Sequence, residues 1–315
     1  MEKITLKNAI PQVLKGAAMG IAEVIPGVSG GTIAFITGIY EQLLRSIKAF
    51  GPEAIKGFRE GGVKGFWEAI NGNFLMTLLI GMAAGMILGV FGVTWVLENY
   101  PVLLWSFFFG LILGSVVFVA RMIKQWNLVT VLTFIIGTAI AYYITIASPA
   151  EGNQALWFVF VSGMLAICAL MLPGISGSFI LLLMGMYTYI IPTVKNALKT
   201  FDPASIKVLV VFAAGALVGL GGFSRVLTWT FKKYHDQTMG LLAGFMLGSL
   251  NKIWPWRNVI SFRENSKGIM VPFQEESVLP LNFEGDTFLF GSIALMVVGL
   301  LSVFLLEKMS DTNPG

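Results

Sequence analysis

Apolar residues in this chain fall in long, nearly unbroken runs, with none of the strict alternation of a half-buried strand. Six runs approach the length of about 20 residues that a membrane-spanning helix needs: 74–97, 102–121, 128–147, 207–231, 239–254 and 287–306. Two further apolar segments, 13–44 and 156–194, are each interrupted near the middle by a turn. The first reads Glu23-Val24-Ile25-Pro26-Gly27-Val28-Ser29-Gly30-Gly31-Thr32. The second reads Leu170-Met171-Leu172-Pro173-Gly174-Ile175-Ser176-Gly177-Ser178-Phe179. Proline and glycine end a helix, and the serine, glycine and threonine that follow open the next one with unpaired N–H groups facing the break. The half-length pieces on either side, about 12 to 20 residues apiece, are short for a span and suit a re-entrant hairpin.

The pattern repeats. The turn at Pro26 maps onto the turn at Pro173 with a shift that also superposes Gly38-Ile39-Tyr40 on Gly185-Met186-Tyr187 and Lys48 on Lys195. Further along, Ala83-Ala84-Gly85 matches Ala213-Ala214-Gly215, and Gly110 to Ser115 matches Gly244 to Ser249. The expected architecture is therefore an all-α polytopic membrane protein with two repeats, 1–150 and 151–315, each a hairpin plus three spans. Three is odd, so the second repeat starts on the opposite face and the two are inverted. Glycines four apart, Gly81 with Gly85 and Gly89, and Gly110 with Gly114, read as close helix packing. The polar stretch 50–73 reads as a loop. The longest polar insertion, 252–285, reads either as a surface loop or as a cap over the outer mouth.

Composition fits this reading. Of 315 residues, 56% are hydrophobic and 12% charged, about half the charged share of a soluble domain. The net charge of +4 comes from basic residues between the apolar runs rather than from one stripe, so it marks topology and no nucleic acid is expected. With re-entrant hairpins, thirteen basic residues fall on one side and seven on the other, which places both termini in the cytoplasm. Cys168 stands alone, so no internal disulfide or metal cluster is expected, and His235 reads as a loop residue. The N-terminal apolar run breaks at Pro26-Gly27 without a small-residue cleavage site, so no removable signal peptide is expected. No cofactor or ATP-binding motif is read. Whether the chain forms a homo-oligomer stays open.

The candidate chemistry lies at the breaks. Ser29, Gly30, Gly31 and Thr32 at one half-helix end, and Ser176, Gly177 and Ser178 at the other, offer amides and hydroxyls to an anion without burying a charge. The alternative is hinge glycines and helix caps. Glu23 lies in apolar sequence, and its counterpart in the second half is Leu170. A single carboxyl there suggests a proton carrier or a cation's partner. Arg225, within the span 207–231, either binds phosphate or snorkels to the cytoplasmic surface.

The paired turns Pro26-Gly27-Val28-Ser29-Gly30-Gly31-Thr32 and Leu172-Pro173-Gly174-Ile175-Ser176-Gly177-Ser178 resemble those of the polyprenyl-phosphate translocase family PopT. The likeness covers 13–306. It implies a flippase that returns undecaprenyl phosphate, the lipid carrier of cell-wall sugars, from the outer to the cytoplasmic leaflet of a bacterial plasma membrane. A more distant similarity is to undecaprenyl pyrophosphate phosphatase, which has a Glu-x3-Glu pair before its first turn and an arginine between the serines of its second. Here Met19 stands at the first of those glutamates, and Ser176-Gly177-Ser178 holds no arginine. Hydrolysis loses both supports, so transport is favoured over lipid pyrophosphate hydrolysis, with small-anion transport as the remaining alternative.

Overall fold

The computed structural model describes residues 6–25, 28–264 and 270–311. Around the first break lie α1 (Leu6–Val24), α2 (Gly30–Ile36) and α3 (Tyr40–Lys48), followed by α4 (Pro52–Ala69). Three long helices come next: α5 (Gly72–Asn99), α6 (Pro101–Met122) and α7 (Leu128–Ile146). The second half carries α8 (Leu156–Met171), α9 (Gly177–Leu183) and α10 (Tyr187–Thr200), then α11 (Pro203–Lys233) and α12 (His235–Ser249). Strands β1 (Arg257–Glu264) and β2 (Met270–Ser277) pair antiparallel before α13 (Leu289–Asp311). The chain is a multi-pass, all-α membrane protein. Helices α6, α7 and α11, and α5 within a longer apolar stretch, are apolar and long enough to cross a bilayer.

Packing is dominated by four helix pairs: α1 on α5, α8 on α11, α6 on α13 and α7 on α12. Each pair closes on glycines that have a facing backbone where a side chain would stand. A methyl group at Gly81 would strike the Val13 carbonyl, and one at Gly215 the Phe160 carbonyl. Gly16 faces the Leu78 carbonyl as Gly163 faces that of Phe212. The other two pairs follow suit: Gly110 meets Met296 as Gly244 meets Phe134, and Gly299 meets Phe107 as Gly137 meets Leu241. The same contacts therefore recur between the halves, with α6 and α12 each exchanged onto the other half's last helix. Small residues bring backbones together because lipid offers helices no hydrophobic reward for associating.

These contacts correct one sequence match. Ala83-Ala84-Gly85 aligns by letters with Ala213-Ala214-Gly215, but the packing equates Gly81 with Gly215 and Gly85 with Gly219. The difference is one helical turn. Residues four apart share a helix face, so a three-residue match slides by a turn without changing the apolar surface.

Other elements also depart from expectation. Each hairpin's returning limb is two helices rather than one. The break falls at Gly38 (φ 72°) and again at Gly185 (φ 67°). Both close the preceding helix alike: Gly38 and Ile39 donate to the Phe35 and Ala34 carbonyls, and Gly185 and Met186 to those of Leu182 and Leu181. This is the left-handed glycine stop of a helix C-terminus. It turns α10 by 113° from α9. The polar stretch 50–73 holds α4, which bends at Gly61 and Gly62 (φ 60°). Helix α12 ends at Ser249, short of the expected 254, and the insertion 252–285 holds the β1–β2 hairpin.

Gly185→Ala tests the second stop. A left-handed L residue costs about 1–2 kcal/mol, and here the new methyl would also meet the Ala150 carbonyl and the Gly152 amide. Loss of at least that much stability is expected in detergent unfolding, and an unchanged transition would refute the turn.

Candidate functional site

Pro26 and Gly27 lie outside the described residues, so the first break is seen from its flanks, Ile25 and Val28. All seven residues of α2 are buried, which puts the first helix tip inside protein and away from acyl chains. The second break, Pro173 and Gly174, has Gly174 at φ 84°, and a methyl group there would meet the backbone of Met246 on α12. The two breaks meet. The Gly174 amide donates to Thr32 Oγ1 at 3.0 Å, and Ser29 Oγ reaches the Leu172 carbonyl at 3.5 Å. Tyr40, on α3, donates its hydroxyl to the Met171 carbonyl at 2.6 Å. Carbonyls left free at the end of α8 are thus satisfied by side chains of the first hairpin.

The two tips differ in occupancy. At the first, Glu23 Oε1 accepts the Gly30 amide at 2.8 Å, Ser29 Oγ accepts the Gly31 amide at 3.1 Å, and the Thr32 amide bonds the Ser29 carbonyl at 3.0 Å. The protein's own carboxyl group sits where an incoming anion would bind. At the second tip Leu170 takes the place of Glu23, with its Cβ 3.4 Å from where a Gly177 methyl would be. Ser176 caps no amide there; its hydroxyl pairs with that of Ser178 at 2.9 Å. Two hydroxyls joined by one hydrogen bond keep one proton to donate elsewhere.

A small crevice of about 10 Å³ beside this second tip is lined by Thr145, Ser176, Phe179, Ser249 and Lys252. The Lys252 ammonium stands 4.7 Å from the centre of the Phe179 ring. Beside it, Arg257 on β1 bonds the Lys252 carbonyl at 2.8 Å and Glu275 on β2 at 3.0 Å. Burial, and then the neighbouring Arg257, push the Lys252 pKa down to about 8 against a smaller opposing pull from Glu275. Burial likewise lowers the Arg257 pKa.

Arg225 is elsewhere. Its guanidinium donates to the Gly221 carbonyl on its own helix and packs against Gly51, in the turn between α3 and α4. Among the described residues its contacts join it to neither tip. Sequence reasoning missed Tyr40 and Lys252. The Gly38-Ile39-Tyr40 match did single Tyr40 out, but as a mark of repetition; Lys252 was counted only as a topology charge.

Two apolar grooves lie in the bundle, the first of them beside α2. One, about 490 Å³, is bounded by α1, α2, α6 and α13 and lined by Ala18, Ile21, Ile33, Phe107 and Leu111, with Lys15 at its edge. The other, about 580 Å³, lies among α6, α7 and α12, with Phe109, Phe134, Tyr142 and Trp254.

Known proteins bear on this arrangement. A family model described as VCA0040-like, undecaprenyl phosphate translocase-like, matches residues 19–271. A polyprenyl-phosphate transporter of Vibrio cholerae serotype O1 is 43% identical over 309 residues, covering 96% of this chain and 98% of that protein. A polyprenyl-phosphate transporter of Staphylococcus aureus is 30% identical over 257 residues, covering 77% of this chain and 85% of that protein. No solved structure matches. A membrane fold with paired helix breaks, and likeness over nearly the whole chain, agree: the chain belongs to the undecaprenyl phosphate translocase-like family.

Proposed function

We propose that the protein is a transporter that moves a polyprenyl phosphate, undecaprenyl phosphate in a bacterium, from the outer to the cytoplasmic leaflet. The observation that carries this reading is the joining of two broken helices inside the bundle, Gly174 to Thr32 at 3.0 Å. Irregular backbone at membrane depth is tolerated where it is buried in protein or lines a polar path. Moving a bare phosphate through hydrocarbon costs on the order of tens of kcal/mol. Amides and hydroxyls of Ser29, Gly30, Gly31, Thr32, Ser176, Gly177 and Ser178 replace its water as it passes, while the isoprenoid tail stays in lipid or in a flanking apolar groove. Names of the Vibrio and Staphylococcus relatives support the substrate.

The halves act as inverted repeats, 1–150 and 151–315, so the site opens to each leaflet in turn by equivalent motions. The recurrence of glycine contacts between halves supports this symmetry. The protein sits in the bacterial plasma membrane with both termini cytoplasmic, and returns the carrier for cell-wall and peptidoglycan synthesis. Glu23 is the coupling group: it holds the Gly30 amide of the first tip, and protonation removes the negative charge that would repel an incoming phosphate. The function is transport rather than hydrolysis: Met19 stands where a second glutamate would be, and Ser176-Gly177-Ser178 holds no arginine.

The decisive experiment reconstitutes the purified protein in vesicles with labelled undecaprenyl phosphate in the outer leaflet. Protein-dependent loss of outer-leaflet label without release of inorganic phosphate is expected. Label that stays outside, or phosphate that is released, refutes the reading.

A further inference from the structure

On the transport reading above, we propose that Lys252 and Arg257 form a phosphate-monoester receptor at the mouth of the second break, where the substrate's headgroup docks before reaching the helix tips. The topology proposed here puts this mouth on the outer face, where the carrier is collected.

The argument is one of unbalanced charge. Lys252 and Arg257 are both largely buried, and among the described residues Glu275 bonds Arg257 alone. Among the described residues no carboxylate pairs with Lys252. Two buried cations facing one carboxylate leave a net positive charge in a low-dielectric recess, which is costly until a counter-ion arrives. Arg257 also keeps its Nε–H buried without an acceptor, a donor held in reserve. Lys252 shares the lining of one small crevice with Ser176, whose pair with Ser178 retains one free proton. A phosphate monoester answers all three: it carries up to two charges and three acceptor oxygens. Phosphate held at Lys252 would stand beside the crevice whose lining Lys252 shares with Gly174 and Ser176 of the second tip.

The ligand chemistry is shared by a lipid headgroup and free phosphate, and the test separates them. Binding of a fluorescent short-chain polyprenyl phosphate to purified protein in nanodiscs is measured for wild type, Lys252→Gln, Lys252→Arg and Glu275→Gln, with inorganic phosphate as competitor. Lys252→Gln should weaken binding about tenfold or more, since charge-assisted hydrogen bonds are the strong ones. Lys252→Arg should retain it. Glu275→Gln removes the competing carboxylate and should tighten binding, a gain that misfolding cannot produce. Wild-type affinity should fall between pH 7 and pH 9, as Lys252 loses its proton near pH 8, and Lys252→Arg should flatten that fall. Arg257 and Glu275 are the charged groups facing Lys252 from β1 and β2; the α7, α9 and α12 sides of the crevice present Thr145, Ser176, Phe179 and Ser249.

Unchanged binding by Lys252→Gln, with transport intact, overturns the receptor and leaves the transport reading standing. Wild-type protein that binds no polyprenyl phosphate overturns both. Inorganic phosphate that competes as strongly as the lipid assigns the receptor to the free anion and removes the lipid from it.

Discussion

Vesicles containing Glu23→Gln protein are expected to move polyprenyl phosphate with no response to a pH gradient, whereas wild-type vesicles respond steeply. Glutamine keeps an oxygen that can accept the Gly30 amide, now made by Glu23 Oε1 at 2.8 Å, so the tip keeps its shape. What disappears is the exchangeable proton. One proton carried per lipid turns each unit of pH difference into about 1.4 kcal/mol, or roughly a tenfold asymmetry between leaflets. Glu23→Gln should collapse that asymmetry to none.

Glu23→Leu copies the residue found in the second half, Leu170, and should do more. It removes the proton and also strands the Gly30 amide, an unpaired buried donor that costs about 1–3 kcal/mol. Stability should therefore fall in Glu23→Leu and hold in Glu23→Gln. Equal gradient responses in wild type and Glu23→Gln would remove Glu23 from the coupling step, whatever the fate of the leucine variant.

The asymmetry between the tips explains why the site was half legible. Pro26-Gly27 and Pro173-Gly174 announce themselves, because proline and glycine inside an apolar run have few other uses. That the tips belong together could be inferred from their repetition. That Glu23 closes its own tip could not: the bond spans seven residues across a break where α2 packs back on α1 and against α3, α6 and α8. Lys252 was hidden differently. It lies just past the end of α12, where a lysine ordinarily marks the membrane surface, and only the β1–β2 hairpin, folded from polar sequence, brings Arg257 and Glu275 beside it.

The spans were legible for a simple reason. Hydrocarbon thickness imposes a length, and unbroken apolar runs satisfy it without regard to partners. Stops at Gly38 and Gly185 escaped because apolar residues continue through them. A lone glycine in such a run reads as packing, as it truly is at Gly81 and Gly85. Only the backbone angle separates the two uses. Helix α4 escaped because its sequence is polar on most sides, which suits a helix outside the core as well as a loop.

Packing glycines supply the second large prediction. Gly85 and Gly92 lie seven residues apart on α5, and helix propensity favours alanine over glycine at both by about 1 kcal/mol. Their surroundings differ. A methyl group at Gly85 runs into the carbonyl of Ala17 on α1, while at Gly92 nothing lies within 4 Å. The obstacle at Gly85 is backbone, which cannot rotate aside as a side chain would. Overpacking of this kind costs about 1–3 kcal/mol or more. Gly92→Ala should therefore leave stability unchanged or slightly raised, and Gly85→Ala should lower it substantially. Gly219→Ala, against the Met164 carbonyl at 2.6 Å, should behave like Gly85→Ala if the two crossings are equivalent. Function should follow the same order, because α1 carries Glu23 and α8 carries the carbonyls of Leu170 and Met171 that face the first tip. Prising either helix from its partner displaces the tips it supports. Matched unfolding curves for Gly85→Ala and Gly92→Ala would mean that the α1–α5 contact is looser than described, and the geometry that joins the two breaks would lose its frame.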